Sequence, residues 1–372
     1  MSDMPLECLQ SHQEFRSVRD DWNEFMDSCF PENYARTHAV LSVFWETYHA
    51  GHQALIYIQR ASAGGKIVAA APLIAKKEIF GGFRVRMLQS LGRGLGSDDF
   101  LIGPDAVQMV RAVLADLSSR KTWDVTSLRR VSPSFFLDEL ITVSREKKYP
   151  VDFSATTDHL VTLPKTYGEY LASRSSKFRN NLMHANKRLQ AAGNVSIERL
   201  SPFTHADRAL ALCEEVARHS WQFKEGKSHF NEKGSSCFYS NLVQNGRWTG
   251  GEEFVVLLVD NKPVAFMLGC KRGRTYYLVD TAYDEEFRHV SVGRVLFSKT
   301  IEHLIENGDV DRFNLEGDGE YKDYYANETR TVQSITMYND SMYGQCINLL
   351  RRTRLYGMLK RIRDRKNGRT SN

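Results

Sequence analysis

The chain has 372 residues, long for one compact domain and comfortable for two, and its 42% hydrophobic and 26% charged residues are ordinary globular composition. No apolar run reaches the ~18 residues of a membrane span, the N-terminal MSDMPLECLQSHQEF lacks a basic region followed by an apolar stretch, and no two of the six cysteines form a Cys-x-x-Cys pair, which argues against secretion, a disulfide framework and a zinc knuckle and for a reducing cytoplasm. The net charge of +5 is uneven: residues 351–369 hold nine Lys/Arg against the single acid Asp364, so a basic tail follows a slightly acidic body.

In the first half, apolar Val40, Val43, Phe44 and Tyr48 recur at helical spacing, which predicts a helix over 36–50. The β-branched and aromatic residues of 54–60 predict a strand. Gly64-Gly65 then turns the chain into a strand over 66–77, and Gly81-Gly82 into another over 83–91. A helix over 107–119 and a strand over 123–131 complete this half. In the glycine-rich run 92–99 (GRGLGSDD), the Lys-Ser/Thr ending of a nucleotide P-loop is missing; the run reads as a flexible turn or as one wall of a cleft.

The second half follows a similar grammar. A basic helical stretch over 168–192 stops at Gly193, and a long helix covers 204–220. Strands over 253–259, 263–273 and 274–284 follow, the first two joined by an Asp260-Asn261 turn. The segment around Val68 can be laid over the segment around Val264, which suggests a duplication.

The stretch 274–325 carries the chemistry. It reads strand, loop, helix, strand, acidic loop. The helix over 291–306 opens on Arg288-x-x-Ser291-Val292-Gly293-Arg294. Small residues at a helix start leave backbone N–H groups and the positive end of the helix dipole open to a pyrophosphate, with Arg288 and Arg294 adding charge. The plainer alternative is an ordinary connection in which Ser291 caps the helix. Period-2 alternation places Tyr276, Leu278 and Asp280 on one face of the preceding strand, and an acid in so apolar a strand needs a partner or a task. After the helix, Glu316-Gly317-Asp318-Gly319-Glu320-Tyr321-Lys322 sets acids among glycines. Asp280, Glu316 and Asp318 are the candidate bases for an ammonium nucleophile; a solvated acidic turn is the alternative. The spacing is not that of an EF-hand, and no His/Cys cluster suggests a metal. Trp221 and Lys224 could stack and hold a sugar acceptor together with Tyr321 and Lys322, or form a surface loop. Arg174 and Lys177 could grip a phosphate, or face solvent.

These residues resemble a known family. The run Arg174-Ser-Ser-Lys177-Phe178-Arg179-Asn-Asn-Leu182, continuing through Lys187-Arg188-Leu189 to Gly193, is similar to the CelD/BcsL-like acetyltransferases of the GNAT type, relatives of the Fem peptidyltransferases. Tyr276-Tyr277-Leu278 with Asp280, Gly293-Arg294-Val295-Leu296, and Gly317-Asp318 with Tyr321-Lys322 extend the resemblance, as does Val68-Ala-Ala-Ala-Pro72-Leu73. It implies an α/β (α+β) fold of two tandem GNAT-like halves, each a mixed sheet flanked by helices. The expected division is an N-terminal half over 1–150, a C-terminal half with the acyl-CoA site over 151–345, and the basic tail over 346–372. It also implies that Arg288–Arg294 is the counterpart of the GNAT pyrophosphate loop, with Ser291 in place of its first glycine.

The expected activity is transfer of an acyl group, acetyl above all, from acetyl-CoA to an amine of an amino sugar or cell-envelope or exopolysaccharide precursor, by direct attack on the thioester and without a metal. Two alternatives stay open: a Fem-like ligase that uses aminoacyl-tRNA, and a non-catalytic GNAT-like binding module. The expected partners are a small-molecule or saccharide acceptor and, through the basic tail, an anionic membrane surface on the inner face; nucleic acid is not expected. In that tail Ile347, Leu350, Leu355, Met358, Leu359 and Ile362 fall mostly three or four residues apart among arginines and lysines.

Overall fold

The computed structural model describes residues 5–104, 106, 108–120, 122–226, 228, 230, 235–244, 251–317 and 319–353. In chain order its elements begin with β1 (Leu6–Leu9), α1 (His12–Ser17), α2 (Arg19–Cys29), α3 (His38–Tyr48), β2 (Gln53–Arg60), β3 (Ile67–Phe80) and β4 (Phe83–Ser90). There follow β5 (Leu101–Ile102), α4 (Met109–Arg120), β6 (Val125–Val131), α5 (Phe135–Glu146), β7 (Val151–Thr162), α6 (Tyr167–Ala172), α7 (Ser176–Ala192) and β8 (Val195–Leu200). The remainder is α8 (Pro202–Arg218), α9 (Trp221–Lys224), α10 (Ser235–Gln244), β9 (Glu252–Val259), β10 (Lys262–Arg272), β11 (Thr275–Tyr283), α11 (Val292–Asn307), β12 (Arg312–Asn314), β13 (Glu328–Tyr338) and α12 (Met342–Arg352).

The chain forms two compact units. One contains residues 1–25, 51–156 and the chain from Val332 on; the other contains Met26–Ala50 and Thr157–Thr331. The expected boundary near 150 therefore falls at the start of β7, but two segments are exchanged across it. The stretch holding α3 counts with the second unit and β13 with the first. The expected tail boundary at 346 falls inside α12.

In the first unit the strands run β1-β2-β3-β4-β6-β13, with β5 paired to β3. The central strands are buried on both faces. Leu55, Tyr57, Ala71, Leu73 and Leu88 pack with Val110, Val113 and Leu117 of α4 and Phe136 and Leu140 of α5. On the other face Val85, Met87 and Val125 meet Ile347 of α12.

The second unit repeats this order of elements. Its strands run β7-β12-β11-β10-β9-β8. Each unit has an antiparallel hairpin (β2–β3; β9–β10), a third antiparallel strand (β4; β11), a helix (α4; α11) and a strand parallel to the third (β6; β12). Val68 and Val264 stand near the start of the return strand of their respective hairpins, as the overlay of the two segments requires. On one face of this sheet, α7 (Phe178, Leu182, Ala185, Leu189) and α11 (Val292, Leu296, Ile301) form a single apolar core with Met267, Tyr276 and Leu278. The other face is covered by α8 and α10, against which α3 packs: the Phe44 and Phe238 rings lie 4.9 Å apart.

The basic stretch read as one helix over 168–192 is two. Ser175 caps α7 by accepting from the N–H of Phe178, and Thr166 and Glu169 form a capping box on α6, so the chain restarts its helix between them.

Candidate functional site

The site is built where β11, α11 and β12 meet. β11 and β12 run parallel, and their pairing covers only Thr275–Tyr277 against Arg312–Asn314. β11 then continues to Tyr283, while beyond β12 the N–H of Leu315 turns to the carbonyl of His159. The two strands therefore part at their C-terminal ends, the position at which open α/β sheets receive ligands.

β11 carries a bulge at this point. Leu268 pairs with Asp280 but Gly269 with Leu278, so Val279 has no partner on β10. The extra residue reverses the alternation. Tyr276 and Leu278 face the α7/α11 core, as expected, but Asp280 does not join them; it faces the α8/α10 side. There Oδ2 accepts the Tyr239 hydroxyl at 3.0 Å, and Oδ1 accepts the N–H of Thr281 at 2.8 Å. Burial, with the Asp280 carboxylate adding to it, pushes both the Tyr239 phenol and the Cys213 thiol well up. The same two causes push Tyr321 up to about 12. Tyr321 is nonetheless 43% exposed, with its ring 5.8 Å from that of Phe297.

The turn into α11 differs from an ordinary cap. Ser291 has φ 60° and ψ 44°, the left-handed conformation, and its side chain makes no capping bond. It holds the backbone shape that favours glycine, at a cost of roughly 1–2 kcal/mol for an L-residue. Its carbonyl accepts from Arg294 at 3.0 Å, while the N–H groups of Val292 and Gly293, at the start of the helix, have no intrahelical acceptor. Arg188 of α7 reaches the Ser291 hydroxyl at 3.4 Å. Gly293 is helical, and a Cβ built on it would meet only Tyr283, at 3.8 Å. A glycine inside a helix costs about 1 kcal/mol relative to alanine, and no protein atom here needs the space. The cradle is open to something outside the chain, and its exposed N–H groups suit a pyrophosphate. Arg288 is exposed and makes no ion pair among the described residues, whereas Arg294 stands 5.9 Å from the Tyr324 ring.

The acidic loop after β12 is tied down rather than free. Glu316 and Gly317 both have φ 56°. Lys322, only 8% exposed, donates through its ammonium to the carbonyls of Glu316 and Gly317 and so braces the loop. His159 contacts the Gly317 carbonyl through Nδ1 at 3.2 Å and Asp323 through Nε2 at 2.7 Å, and Asp158 accepts the N–H of Gly317 at 3.2 Å. Glu316 acts on Tyr277, whose phenol it helps to raise behind the effects of burial and Glu32. Asp318 lies outside the described residues.

The remaining expected contacts are dispersed. Arg174 donates to the carbonyls of Tyr325 and Ala326 and holds the end of the loop. Lys177 is exposed on α7. Lys224 pairs with Glu285, and Trp221 is 39% exposed beside it on α9. Gln222 on the same short helix donates to the Thr281 carbonyl at 3.1 Å, next to Asp280. Tyr239, Cys213 and His159 were not legible as site residues, because each reaches the site from a distant segment without a motif; Arg188 and Gln222 lie inside stretches the sequence singles out, Lys187-Arg188-Leu189 and Trp221–Lys224, but only the folded chain brings them to the site. Among the described residues no group of three or more His, Cys, Asp and Glu is placed to hold a metal.

Residues 176–324 match the Acetyltransferase (GNAT) domain family, a span that contains the bulge, the helix start and the acidic loop. No curated protein matches the sequence. Among solved structures, the chain is similar to FemX (TM-score 0.58, 12% identity, 93% of this chain and 99% of that one). It is also similar to the C-terminal domain of a putative lysylphosphatidylglycerol synthetase from Agrobacterium fabrum (TM-score 0.55, 11% identity, 91% and 95%). A third likeness is to L-PGS from Bacillus licheniformis (TM-score 0.54, 14% identity, 91% and 96%). At these identities the likeness speaks for the fold alone. No helix among the described residues is long and apolar enough to cross a membrane.

Proposed function

We propose that the chain is an acyl-CoA-dependent N-acyltransferase, with acetyl the expected acyl group and an amine of an amino sugar or cell-envelope or exopolysaccharide precursor as acceptor. The observation that carries the reading is the open cradle at Gly293, at the start of α11 and beside the parting of β11 and β12. The N–H groups of Val292 and Gly293, with Arg288, would hold the pyrophosphate. Arg188, through Ser291, stands close enough to add charge.

An acyl-CoA supplies a thioester whose carbonyl carbon an amine can attack directly. The free edge of β11 at the bulge offers backbone N–H groups to the carbonyl oxygen as negative charge develops on it. Asp280, fixed through both oxygens, takes the proton of the attacking amine directly or through one water. Tyr321 stays a protonated phenol at neutral pH and can give a proton to the leaving thiolate. Glu316 and Asp318 remain alternative bases. Release of free thiol from acetyl-CoA, measured over a panel of amino sugars, tests the reading: acceptor-dependent release supports it, and none with any amine counts against it.

A second reading, a Fem-like ligase using aminoacyl-tRNA, draws on α7. That helix carries Lys177, Arg179, Lys187 and Arg188 and no acid, and Lys177 and Lys187 make no ion pair among the described residues. Such a face suits a polyanion. Competition by tRNA for the acyl-CoA site separates the two readings.

For the tail, the described part supports contact with an anionic membrane. α12 docks through buried Ile347, while Met342, Leu349 and Leu350 are exposed; at its end Arg351 donates to the Tyr338 hydroxyl and Arg352 pairs with Asp152. The stripe from Leu355 to Ile362 lies outside the described residues.

A further inference from the structure

The first unit holds a cation, Arg93, that makes no ion pair among the described residues. β4 and β6 run parallel and pair over Met87–Gln89 against Val125–Ser127, and the chain leaves β4 through the glycine-rich run 91–99. Arg93 in this run turns back over the strand ends. Its Nη1 donates to Oε1 of Gln89 at 2.6 Å and its Nη2 to Oγ of Ser127 at 3.2 Å. Both partners are neutral and themselves nine-tenths buried, Gln89 at 2% and Ser127 at 8% exposure. The guanidinium carries more N–H donors than these bonds use, and Arg93 makes no ion pair among the described residues.

The loop's own acids are turned elsewhere. Asp98 accepts the backbone N–H of Arg129 at 2.8 Å, and Asp99 accepts the N–H of Ser132 at 3.1 Å and the Ser97 hydroxyl at 2.8 Å. Burial first, and then the positive charge of Arg129, hold the Arg93 pKa below the ordinary arginine value, against weaker help from Asp98 and Glu78. Gly94, with φ 104°, has nothing within 4 Å of a Cβ built on it, so the turn beside the guanidinium is open. A partly desolvated, oriented cation with spare donors is costly unless an anion completes it. The C-terminal end of a parallel strand pair is where open α/β sheets bind ligands.

We propose that Arg93, oriented by Gln89 and Ser127 and assisted by Arg129, binds an oxyanion, a phosphate or a carboxylate, in a recognition site of the first unit. This site is separate from the cradle at α11.

The test is thermal melting of the full chain in sodium phosphate, sodium acetate and sodium chloride at matched ionic strength. The wild type is expected to melt several degrees higher in phosphate or acetate than in chloride, since a ligand bound only by the folded state stabilises it; comparing the two salts tells which oxyanion fits. Arg93→Gln, which keeps a donor for Gln89 and Ser127, should lose most of that shift and melt no lower than the wild type in chloride. Arg129→Glu changes an exposed side chain and should raise the anion concentration needed for half the shift several-fold. An equal shift in wild type and both variants, or no shift in the wild type from either anion, overturns the proposal. So does an Arg93→Gln protein that melts lower in chloride yet keeps the full shift, which would make Arg93 a structural brace.

Discussion

The Tyr239 hydroxyl donates to Oδ2 of Asp280 at 3.0 Å while the N–H of Thr281 donates to Oδ1 at 2.8 Å, so both carboxylate oxygens of Asp280 are held in place. A base held this way needs no reorganisation before it accepts a proton. Asp280→Asn keeps an acceptor for Tyr239 and is expected to lower kcat by about 10²–10⁴ with donor affinity unchanged. Tyr239→Phe removes a positioning contact. It should lower kcat less than Asp280→Asn does and leave KM for the donor unchanged, a split that loss of packing alone would not produce. Wild-type turnover in Asp280→Asn would move the base to Glu316 or Asp318, which the corresponding alanine variants then test.

Tyr321 gives a pH prediction. Its phenol titrates at about 12 in the folded chain, against ~10 for a free tyrosine. The protonated form is thus favoured by folding: the small stability this adds, discounted for its exposure, is fully present below pH ~10 and is lost as pH rises toward 12. If Tyr321 donates to the leaving group, kcat should not fall through pH 10 on its account, and Tyr321→Phe should lower kcat across the neutral range. A basic limb centred on an ordinary tyrosine pKa, abolished in Tyr321→Phe, would contradict the raised value.

Ser291 predicts a stabilising substitution. Its left-handed backbone costs a serine more than a glycine. Ser291→Gly is expected to raise stability by about 0.5–1 kcal/mol, seen as a higher Tm, and to leave acyl-CoA affinity equal or tighter despite the loss of the 3.4 Å contact with Arg188. A lower Tm would show that this contact outweighs the backbone relief.

Much of the architecture was legible because the patterns are strong. The hairpin turns at Gly64-Gly65 and Asp260-Asn261, the helix start at 291–294 and the strand over 275–283 all stand where local chemistry placed them. What escaped was non-local. One unpaired residue, Val279, reverses the face of Asp280, and a period-2 reading cannot see a bulge without its partner strand. The capping role read for Ser291 failed because a left-handed residue aims its side chain away from the first turn. Lys322 looks like a substrate cation in sequence, but only the folded loop shows the two carbonyls that claim it. The assignment of the α3 stretch to the second unit and of β13 to the first leaves no local trace in the sequence of either.

Lys322 also carries a stability prediction. Lys322→Met leaves the Glu316 and Gly317 carbonyls without this donor, at a cost of about 1–3 kcal/mol. At ~2–4 °C per kcal/mol for a larger domain, the fall in Tm should be readily measured. An unchanged Tm would mean that His159 and Asp158 hold the loop alone.

The proposed membrane contact is tested by sedimentation with anionic vesicles, comparing the full chain with one ending at Thr353, which keeps the Ile347 packing of α12. Each basic residue near an anionic surface contributes about 1 kcal/mol, screened by salt. The full chain should sediment at low salt and be released at high salt, and the shortened chain should stay in the supernatant. Equal behaviour of the two chains at low salt would remove the tail from the account.

The most direct test of the central claim is calorimetry of acetyl-CoA binding to the wild type and to Gly293→Glu. The substitution puts a carboxylate into the open cradle at the start of α11, where a Cβ meets only Tyr283 at 3.8 Å, so the fold should tolerate it. The account predicts saturable binding to the wild type and loss of that binding in a variant whose Tm is within a few degrees of it. Equal affinity in the two folded proteins, or no binding to the wild type, would contradict the assignment of the cradle to the donor.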